Sequence, residues 1–296
     1  MIRHFVDINN FSKKTLDKIL DNASRIKKNN TRYKNILQNK TLALLFNKKS
    51  LRTRMSFNVG MQKLGGNVIQ LISDEIGFGE RESEEDILKT ISQYVDCLMI
   101  RNNDHKKINY YASLNILPII NGLSNMSHPC QILSDIFTLK EKFEKISKIK
   151  ICWIGDYNNV LRSLIHAQNL YLFKLNIVLP KKILNKVKTN KKINKKIFFT
   201  DNIKIGVTKS DCIMTDVWLS MGEKNKSKKI HFKKYQINKK IIELANKGAV
   251  FMHCLPAHRG EEVTNEVIDS KQSIIWQQAQ NRMYVQQAIL SYILNK

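Results

Sequence analysis

Two hydroxyls and two guanidiniums fall within the five residues Ser50-Leu51-Arg52-Thr53-Arg54. Together they offer charge-assisted donors to an oxyanion. The flanking residues say where that ligand would sit. Thr41–Phe46 is an apolar run that reads as a buried parallel strand. Phe57, Met61 and Leu64 follow at helical spacing and stop at Gly65-Gly66, and Asn67–Ile72 reads as a second strand. The stretch is therefore the strand-to-helix turn of a βαβ unit. Such a turn aims free backbone N–H groups and the positive end of a helix at one point, and the natural ligand is a phosphate. An N-cap on an exposed basic helix would show the same spacing.

The elements that must hold this chemistry alternate from Thr41 onward, apolar strands with helical patterns, which predicts a doubly wound α/β fold with mainly parallel sheets. Ser83 to Asp86 reads as a capping box for a helix with Ile87, Ile91 and Tyr94 on one face. Cys97–Ile100 reads as a strand ending at Arg101, 104–114 as a helix, and Pro118–Asn121 as a strand followed by a loop over 122–127. His128-Pro129-Cys130-Gln131 then opens a helix, with Pro129 suited to its first turn. The charged segment 141–148 reads as a domain junction. Beyond it, Lys150–Ile154 is a strand that runs into Gly155-Asp156-Tyr157-Asn158-Asn159 and a helix to about Leu172. Further strands are expected at 175–179, at 212–215 ending on Asp216, at 249–252 ending on His253, and at 273–276. Helices are expected over 235–247 and through Met283, Ile289, Leu290 and Ile293, and basic surface segments over 181–196 and 223–234.

Ser50, Arg101, His128, Asn159, Asp216 and His253-Cys254 all fall at or just after the C-terminal ends of predicted strands. Open α/β sheets bind ligands at that edge, so these residues are expected in one cleft. Taken singly, each has a plain structural reading: a surface charge, a cap or a packed thiol. The turn after Ile154 lacks G-x-G-x-x-G, and no P-loop or zinc spacing is present, so neither a dinucleotide nor a metal is expected.

At 296 residues and 43% hydrophobic content the chain can form two full cores. Its formal net charge is +25, with Lys+Arg 50 against Asp+Glu 25. The excess is mostly lysine, spread in pairs and not gathered beside stacking aromatics, which reads as compositional drift and not as a nucleic-acid surface. No signal segment and no apolar run long enough for a membrane span is found. Cys97, Cys130, Cys152, Cys212 and Cys254 are odd in number, with no Cys-x-x-Cys pair, and three lie in apolar runs; a reducing cytoplasm is expected.

These residues carry a resemblance to the aspartate/ornithine carbamoyltransferase family, and within it to the ornithine branch. Ser50-Leu51-Arg52-Thr53-Arg54 resembles the S-T-R-T-R motif, and His128-Pro129-Cys130-Gln131 the H-P-x-Q motif. Asp216-Val217-Trp218-Leu219-Ser220-Met221-Gly222 resembles D-x-x-x-S-M-G, and His253-Cys254-Leu255-Pro256 resembles H-C-L-P. Asn281-Arg282 adds an N-R element, and the matches run in order from about Thr41 to Leu290. The resemblance implies two α/β domains: 1–146 for carbamoyl phosphate, with a C-terminal helix 278–296 packing back on it, and 147–277 for ornithine. It implies that Ser50, Leu51, Arg52 and Thr53 hold the phosphate, that Arg101, His128, Thr53 and Arg282 surround the carbamoyl oxygen, and that Gln131 accepts from the carbamoyl amine. Asn159, Asp216, Ser220 and Met221 would hold the amino-acid end of L-ornithine, with Cys254 and the Leu255 carbonyl beside both the attacking amine and the carbamoyl group, as further carbamoyl-phosphate contacts. Arg101, His128, Cys254 and Arg282 are thus the expected catalytic residues. No cofactor or metal is implied; a cytoplasmic homotrimer serving arginine metabolism is. Leu51 departs from the motif by a hydroxyl, Gly77 lies where many members carry a glutamine, and Gln280 and Tyr284 replace the usual Glu and His around Arg282. Putrescine, an acylated ornithine or aspartate are the rival acceptors, and a degenerate inactive relative is a further reading; the S-M-G and H-C-L-P residues and the intact arginines favour ornithine.

Overall fold

The computed structural model describes residues 2–187, 195–219 and 226–295. The chain forms two compact units, Met1–Phe137 with Gln280–Lys296, and Thr138–Ala279. In the first unit, α1 (Lys13–Lys28) precedes β1 (Thr41–Phe46), α2 (Leu51–Lys63), β2 (Asn67–Ile72), α3 (Glu84–Ser92), β3 (Cys97–Arg101), α4 (His105–Ser113), β4 (Ile119–Leu123) and α5 (Pro129–Lys142). Its four strands are all parallel, in the order β2-β1-β3-β4. The open side of β4 is met by Phe5, whose N–H donates to the Ile119 carbonyl and whose carbonyl accepts from Asn121. Ala43, Leu45, Leu98, Ile100 and Ile119 pack with Leu88, Ile108 and Tyr111 of the flanking helices, which is why these strands read as unbroken apolar runs.

In the second unit, β5 (Lys150–Ile154), α6 (Asn159–Tyr171), β6 (Lys174–Val178), α7 (Lys181–Leu184), β7 (Ile197–Thr200), α8 (Ile203–Val207), β8 (Cys212–Thr215), α9 (Lys239–Glu243), β9 (Val250–His253) and α10 (Asn265–Ile268) lead to the terminal helix α11 (Ile275–Leu294). Among the described residues its five strands are parallel, ordered β7-β6-β5-β8-β9. Cys152, Ile154, Val178, Ile213 and Phe251 form the sheet side of its core.

Several expectations change. Helix α3 ends at Ser92, so Tyr94 falls in the turn after it and is exposed instead of sharing a face with Ile87. Gly122 and Leu123 extend β4 and are not loop. The helix expected over 235–247 is only α9, because Ile237 pairs with Val263 in extended form and Asn238 then caps a new start by accepting from Ile241 N–H. The strand expected at 273–276 is a single bridge between Phe251 and Ser273; Ile275 begins α11, and Trp276 is an exposed helical residue. Strand β7, hidden beside the lysine-rich stretch, was not anticipated; residues 188–194 of that stretch and 223–225 of the second basic segment lie outside the described residues.

Candidate active site

In the first unit the chain passes from β1 to its neighbour β2 and returns to β3 on the other side of β1, so the strand order reverses between β1 and β3. Ser50 follows β1 and Arg101 ends β3, so the two residues flank the reversal, where doubly wound sheets bind ligands. Ser50 is the N-cap residue of α2, but its hydroxyl makes no capping bond. It accepts instead from Arg101 Nη1 at 2.8 Å. The first-turn N–H groups of α2 are thus not taken up by the side chain that usually claims one. Arg101 Nη1 also donates to Thr53 Oγ1 at 3.1 Å, and Thr53 Oγ1 accepts a second bond from Arg282 Nη2 at 2.5 Å. Arg282 Nη1 donates to Gln131 Oε1 at 3.1 Å, and Gln131 Nε2 donates to Asp135 Oδ1 at 2.8 Å. A continuous hydrogen-bonded chain therefore runs from Ser50 to Asp135, with Thr53, Gln131, Asp135 and Arg282 buried along it. It fixes two guanidiniums before any ligand arrives. Arg52 is half-buried and Leu51 is 70% exposed. Arg54 lies over the Phe46 ring, 4.9 Å from its centroid.

His128 is buried beside this chain, and burial, then the charges of Arg282, Arg101 and Arg52, hold its pKa well below the ordinary value. A neutral imidazole among three guanidiniums can accept at one nitrogen and donate at the other. The same shift makes the fold acid-sensitive. An ordinary imidazole titrates near ~6.5, so as pH falls the unfolded chain binds this proton before the folded one does. Stability should therefore drop below about pH 6.5, by about 1.4 kcal/mol per further pH unit until the folded value is reached. Thermal melts of the wild type and His128→Gln between about pH 7.5 and about pH 5.5 measure this: the wild-type midpoint should fall more steeply, and equal slopes would refute a neutral buried ring.

The second unit repeats the topological device. The chain runs β5, β6, β7 outward and returns to β8 on the other side of β5. Gly155 opens the turn after β5 with φ +151, a backbone conformation that favours glycine, and a Cβ there would also sit tightly against Thr215 Oγ1 on β8, at 3.3 Å. Trp153 Nε1 donates to the Asp156 carbonyl at 3.0 Å and holds the turn down. Asn158 then caps α6, its Oδ1 accepting from the N–H groups of Val160 and Leu161 at 3.1 Å each, which leaves Asn159 half-buried as the first helical residue. Across the reversal, Asn158 Nδ2 donates to Asp216 Oδ2 at 2.7 Å, and the Cys254 thiol donates to Asp216 Oδ1 at 3.2 Å. His253 is turned inward: its Nδ1 accepts from Leu255 N–H at 2.9 Å and its Nε2 lies 3.1 Å from Glu262 Oε1. Because Nδ1 is the acceptor, the ring hydrogen sits on Nε2 and points at the carboxylate. Burial pushes Glu262 up, but the bonds from His253 and from the His258 N–H outweigh it and hold the carboxyl below its usual range. This pins Leu255 with φ +60, in the left-handed region that costs a non-glycine residue energy and recurs at functional sites.

Comparison with known proteins agrees with both halves. The model for the carbamoyl-P binding domain of aspartate/ornithine carbamoyltransferases matches residues 3–141, and that for the Asp/Orn binding domain matches residues 147–293. The ornithine carbamoyltransferase of Ruthia magnifica subsp. Calyptogena magnifica is 42% identical over 300 residues, covering 100% of both chains. The chain belongs to the aspartate/ornithine carbamoyltransferase family. Among solved members, the ornithine carbamoyltransferase from Pyrococcus furiosus is 35% identical with a TM-score of 0.91, covering 99% of this chain and 97% of that one. The anabolic ornithine carbamoyltransferase from Campylobacter jejuni is 34% identical with a TM-score of 0.91, covering 99% of each.

Of the residues that the family resemblance marks, Ser50, Thr53, Arg101, Gln131 and Arg282 are joined by hydrogen bonds, with Leu51 and Arg52 on the same helix turn and His128 in the field of the three arginines. Asp216 and Cys254 are bonded to each other, Leu255 follows, and Asn159 stands next to the Asn158 bridge. Ser220 and Met221 lie outside the described residues. Sequence reasoning passed over Asn158, Asp135 and Glu262. Asn158 was visible as an Asn preceding a helical run, whereas the pairing of Glu262 with His253 needs the chain to fold back. Among the described residues, two groups bring donor atoms within 4.8 Å of one another in the manner of a metal site, Asp216/His253/Cys254 and His258/Glu261/Glu262. The hydrogen bonds above already engage the first, and in the second Lys229 Nζ bridges both Glu261 oxygens at 2.6 and 2.7 Å.

Proposed function

We propose that this chain is an ornithine carbamoyltransferase, which joins carbamoyl phosphate and L-ornithine to give L-citrulline and phosphate. The observation that carries this reading is the Ser50–Arg101–Thr53–Arg282–Gln131 hydrogen-bonded chain at the uncapped start of α2. Phosphate suits the α2 N–H groups, Ser50, Thr53 and Arg52. The carbamoyl oxygen suits Arg101, His128 and Arg282, and Gln131 can accept from the carbamoyl amine.

In the second unit, Asp216 and Asn159 suit the α-amino and α-carboxylate groups of ornithine, with Ser220 and Met221 as further contacts, and Cys254 and the Leu255 carbonyl suit the δ-amine. The neutral δ-amine attacks the carbamoyl carbon, forming the C–N bond as negative charge builds on the carbamoyl oxygen. Fixed donors stabilise that charge without reorganising, commonly the largest single contribution to such a barrier. The C–O bond to phosphate then breaks, the amine proton passes to the departing phosphate, and Arg52 and the helix N-terminus stabilise the phosphate's charge. Holding both substrates together supplies much of the remaining acceleration. The δ-amine of ornithine is mostly protonated at neutral pH, so the site has to select or create its neutral form.

The chain also suits a cytoplasmic homotrimer in arginine metabolism. Five cysteines kept as thiols fit a reducing compartment. Exposed Leu51 and Met55, one turn apart on α2, fit a face covered by another copy, and sedimentation of the purified protein tests this.

Citrulline formation from carbamoyl phosphate, measured with ornithine beside putrescine, N-acetylornithine and aspartate, tests the reaction. Product with ornithine alone is expected; product with another amine only would overturn the acceptor, and none with any amine from folded protein would overturn the reaction. The Leu51 departure gives a sharper expectation. Leu51→Thr adds a hydroxyl at an exposed position beside the phosphate turn, and one neutral hydrogen bond is worth ~0.5–1.5 kcal/mol. The KM for carbamoyl phosphate should fall by about 2- to 10-fold, with the KM for ornithine unchanged.

A further inference from the structure

We propose that Asn158 is a positioning residue for ornithine: it holds the Asp216 carboxylate in its binding rotamer and ties it to the start of α6. The inference rests on the reading of Asp216 as an ornithine contact. Asn158 is 7% exposed and Asp216 is equally buried, so neither is ordered by solvent. Both ends of the Asn158 amide are committed in one orientation. Its Oδ1 accepts from two α6 N–H groups, which assigns Nδ2 as the atom facing Asp216, at 2.7 Å. On its far side, Asp216 Oδ1 accepts from the Cys254 thiol. The carboxylate is thereby gripped from β5's turn on one side and from β9's end on the other, across the strand-order reversal. Asn159, next in the chain, is set by the same cap, so one side chain fixes the register of two expected ornithine contacts.

The two jobs of Asn158 can be separated, because aspartate also caps helices well but cannot donate. Asn158→Asp keeps an acceptor for Val160 and Leu161, removes the donor to Asp216 and sets a second carboxylate against it. The loss of one hydrogen bond to a charged group corresponds to a factor of about 10 to 100. Asn158→Asp should therefore raise the KM for ornithine by about 10- to 100-fold, with the melting temperature lowered by the two facing buried carboxylates and the KM for carbamoyl phosphate close to wild type. Asn158→Ser, which caps without adding charge, should raise the ornithine KM less. A purely structural Asn158 would leave the ornithine KM of Asn158→Asp unchanged, and that result in an active wild type overturns the inference. If Asn158→Asp fails to fold, Asn158→Ser decides alone: an ornithine KM equal to wild type would refute the positioning role. A wild type that makes no citrulline would instead refute the functional reading, which keeps the two failures apart.

Discussion

Arg101→Met should lower the rate of citrulline formation by about a thousandfold while leaving the fold intact. Removing one preorganised oxyanion donor costs a factor of about 10² to 10³, and Arg101 also serves the phosphate turn through Ser50. The structural cost should be small. Thr53 keeps its bond from Arg282, Ser50 is half-buried and can turn to water, and methionine fills much of the volume of the lost side chain. Removing one of three guanidiniums around His128 also relieves repulsion among like charges. The melting temperature of the unliganded variant should thus match or exceed that of the wild type, as happens when a site built for an anion loses a cation. Inorganic phosphate gives a second readout, since a ligand at free concentration L that binds only the folded state stabilises it by RT ln(1 + L/Kd) and so raises the melting temperature more the more tightly it binds. The rise seen with the wild type should shrink in Arg101→Met. Arg101→Lys restores a charge without the planar fork and should recover only part of the rate. A variant with methionine that kept a tenth of the wild-type rate would exclude Arg101 from the reacting oxygen.

Much of this site was legible before any coordinates because strand ends are legible. Thr41–Phe46, Cys97–Arg101 and Cys212–Thr215 are apolar runs bounded by polar residues, and a doubly wound fold sends the residue after such a run to the ligand edge. Ser50, Arg101 and Asp216 could be placed at that edge on that logic alone, whereas their proposed roles came from the family resemblance. The failures came where local pattern and tertiary pairing disagree. Residues 235–247 carry helical spacing, but Gln236 Nε2 bonds the carbonyls of Gly260 and Glu261 and draws its neighbour Ile237 into an extended pairing. Ile274-Ile275-Trp276 looks like a strand because it is apolar and β-branched, yet after one bridge to β9 it turns helical. The supporting residues were the least visible. Asp135 sits one helical turn after Gln131, and its importance appears only when Gln131 is seen to hold Arg282, about 150 residues later.

Asp216→Asn is the other substitution with a large expected effect, and it can decide which end of ornithine this carboxylate serves. The change is isosteric. The introduced amide oxygen can still accept from Asn158 Nδ2, so the bridge across the sheet survives and the melting temperature should move little. What disappears is the negative charge. A partly desolvated carboxylate–ammonium pair costs ~2–5 kcal/mol to break by truncating one partner, so kcat/KM for ornithine should fall by about 10² to 10³. The KM for carbamoyl phosphate should change little, because its proposed phosphate and carbamoyl-oxygen contacts belong to the first unit and the introduced amide can keep the Cys254 thiol bonded. Two mechanisms predict this same loss: Asp216 could bind the α-ammonium, or it could act through the Cys254 thiol on the proton of the δ-amine. 5-Aminopentanoate separates them, since it keeps the δ-amine and carboxylate and lacks the α-amine. If Asp216 holds the α-ammonium, wild type and variant should use this poor acceptor equally well, because the interaction deleted in the protein is already deleted in the substrate. If Asp216 works on the δ-amine, the penalty should persist in full with 5-aminopentanoate and the variant's pH–rate profile should differ from that of the wild type. The direct bond between Asn158 and Asp216, which fixes the carboxylate's orientation, favours the first outcome: a group that anchors a substrate benefits from a rigid carboxylate, whereas one that passes a proton through a thiol also needs that thiol free to turn.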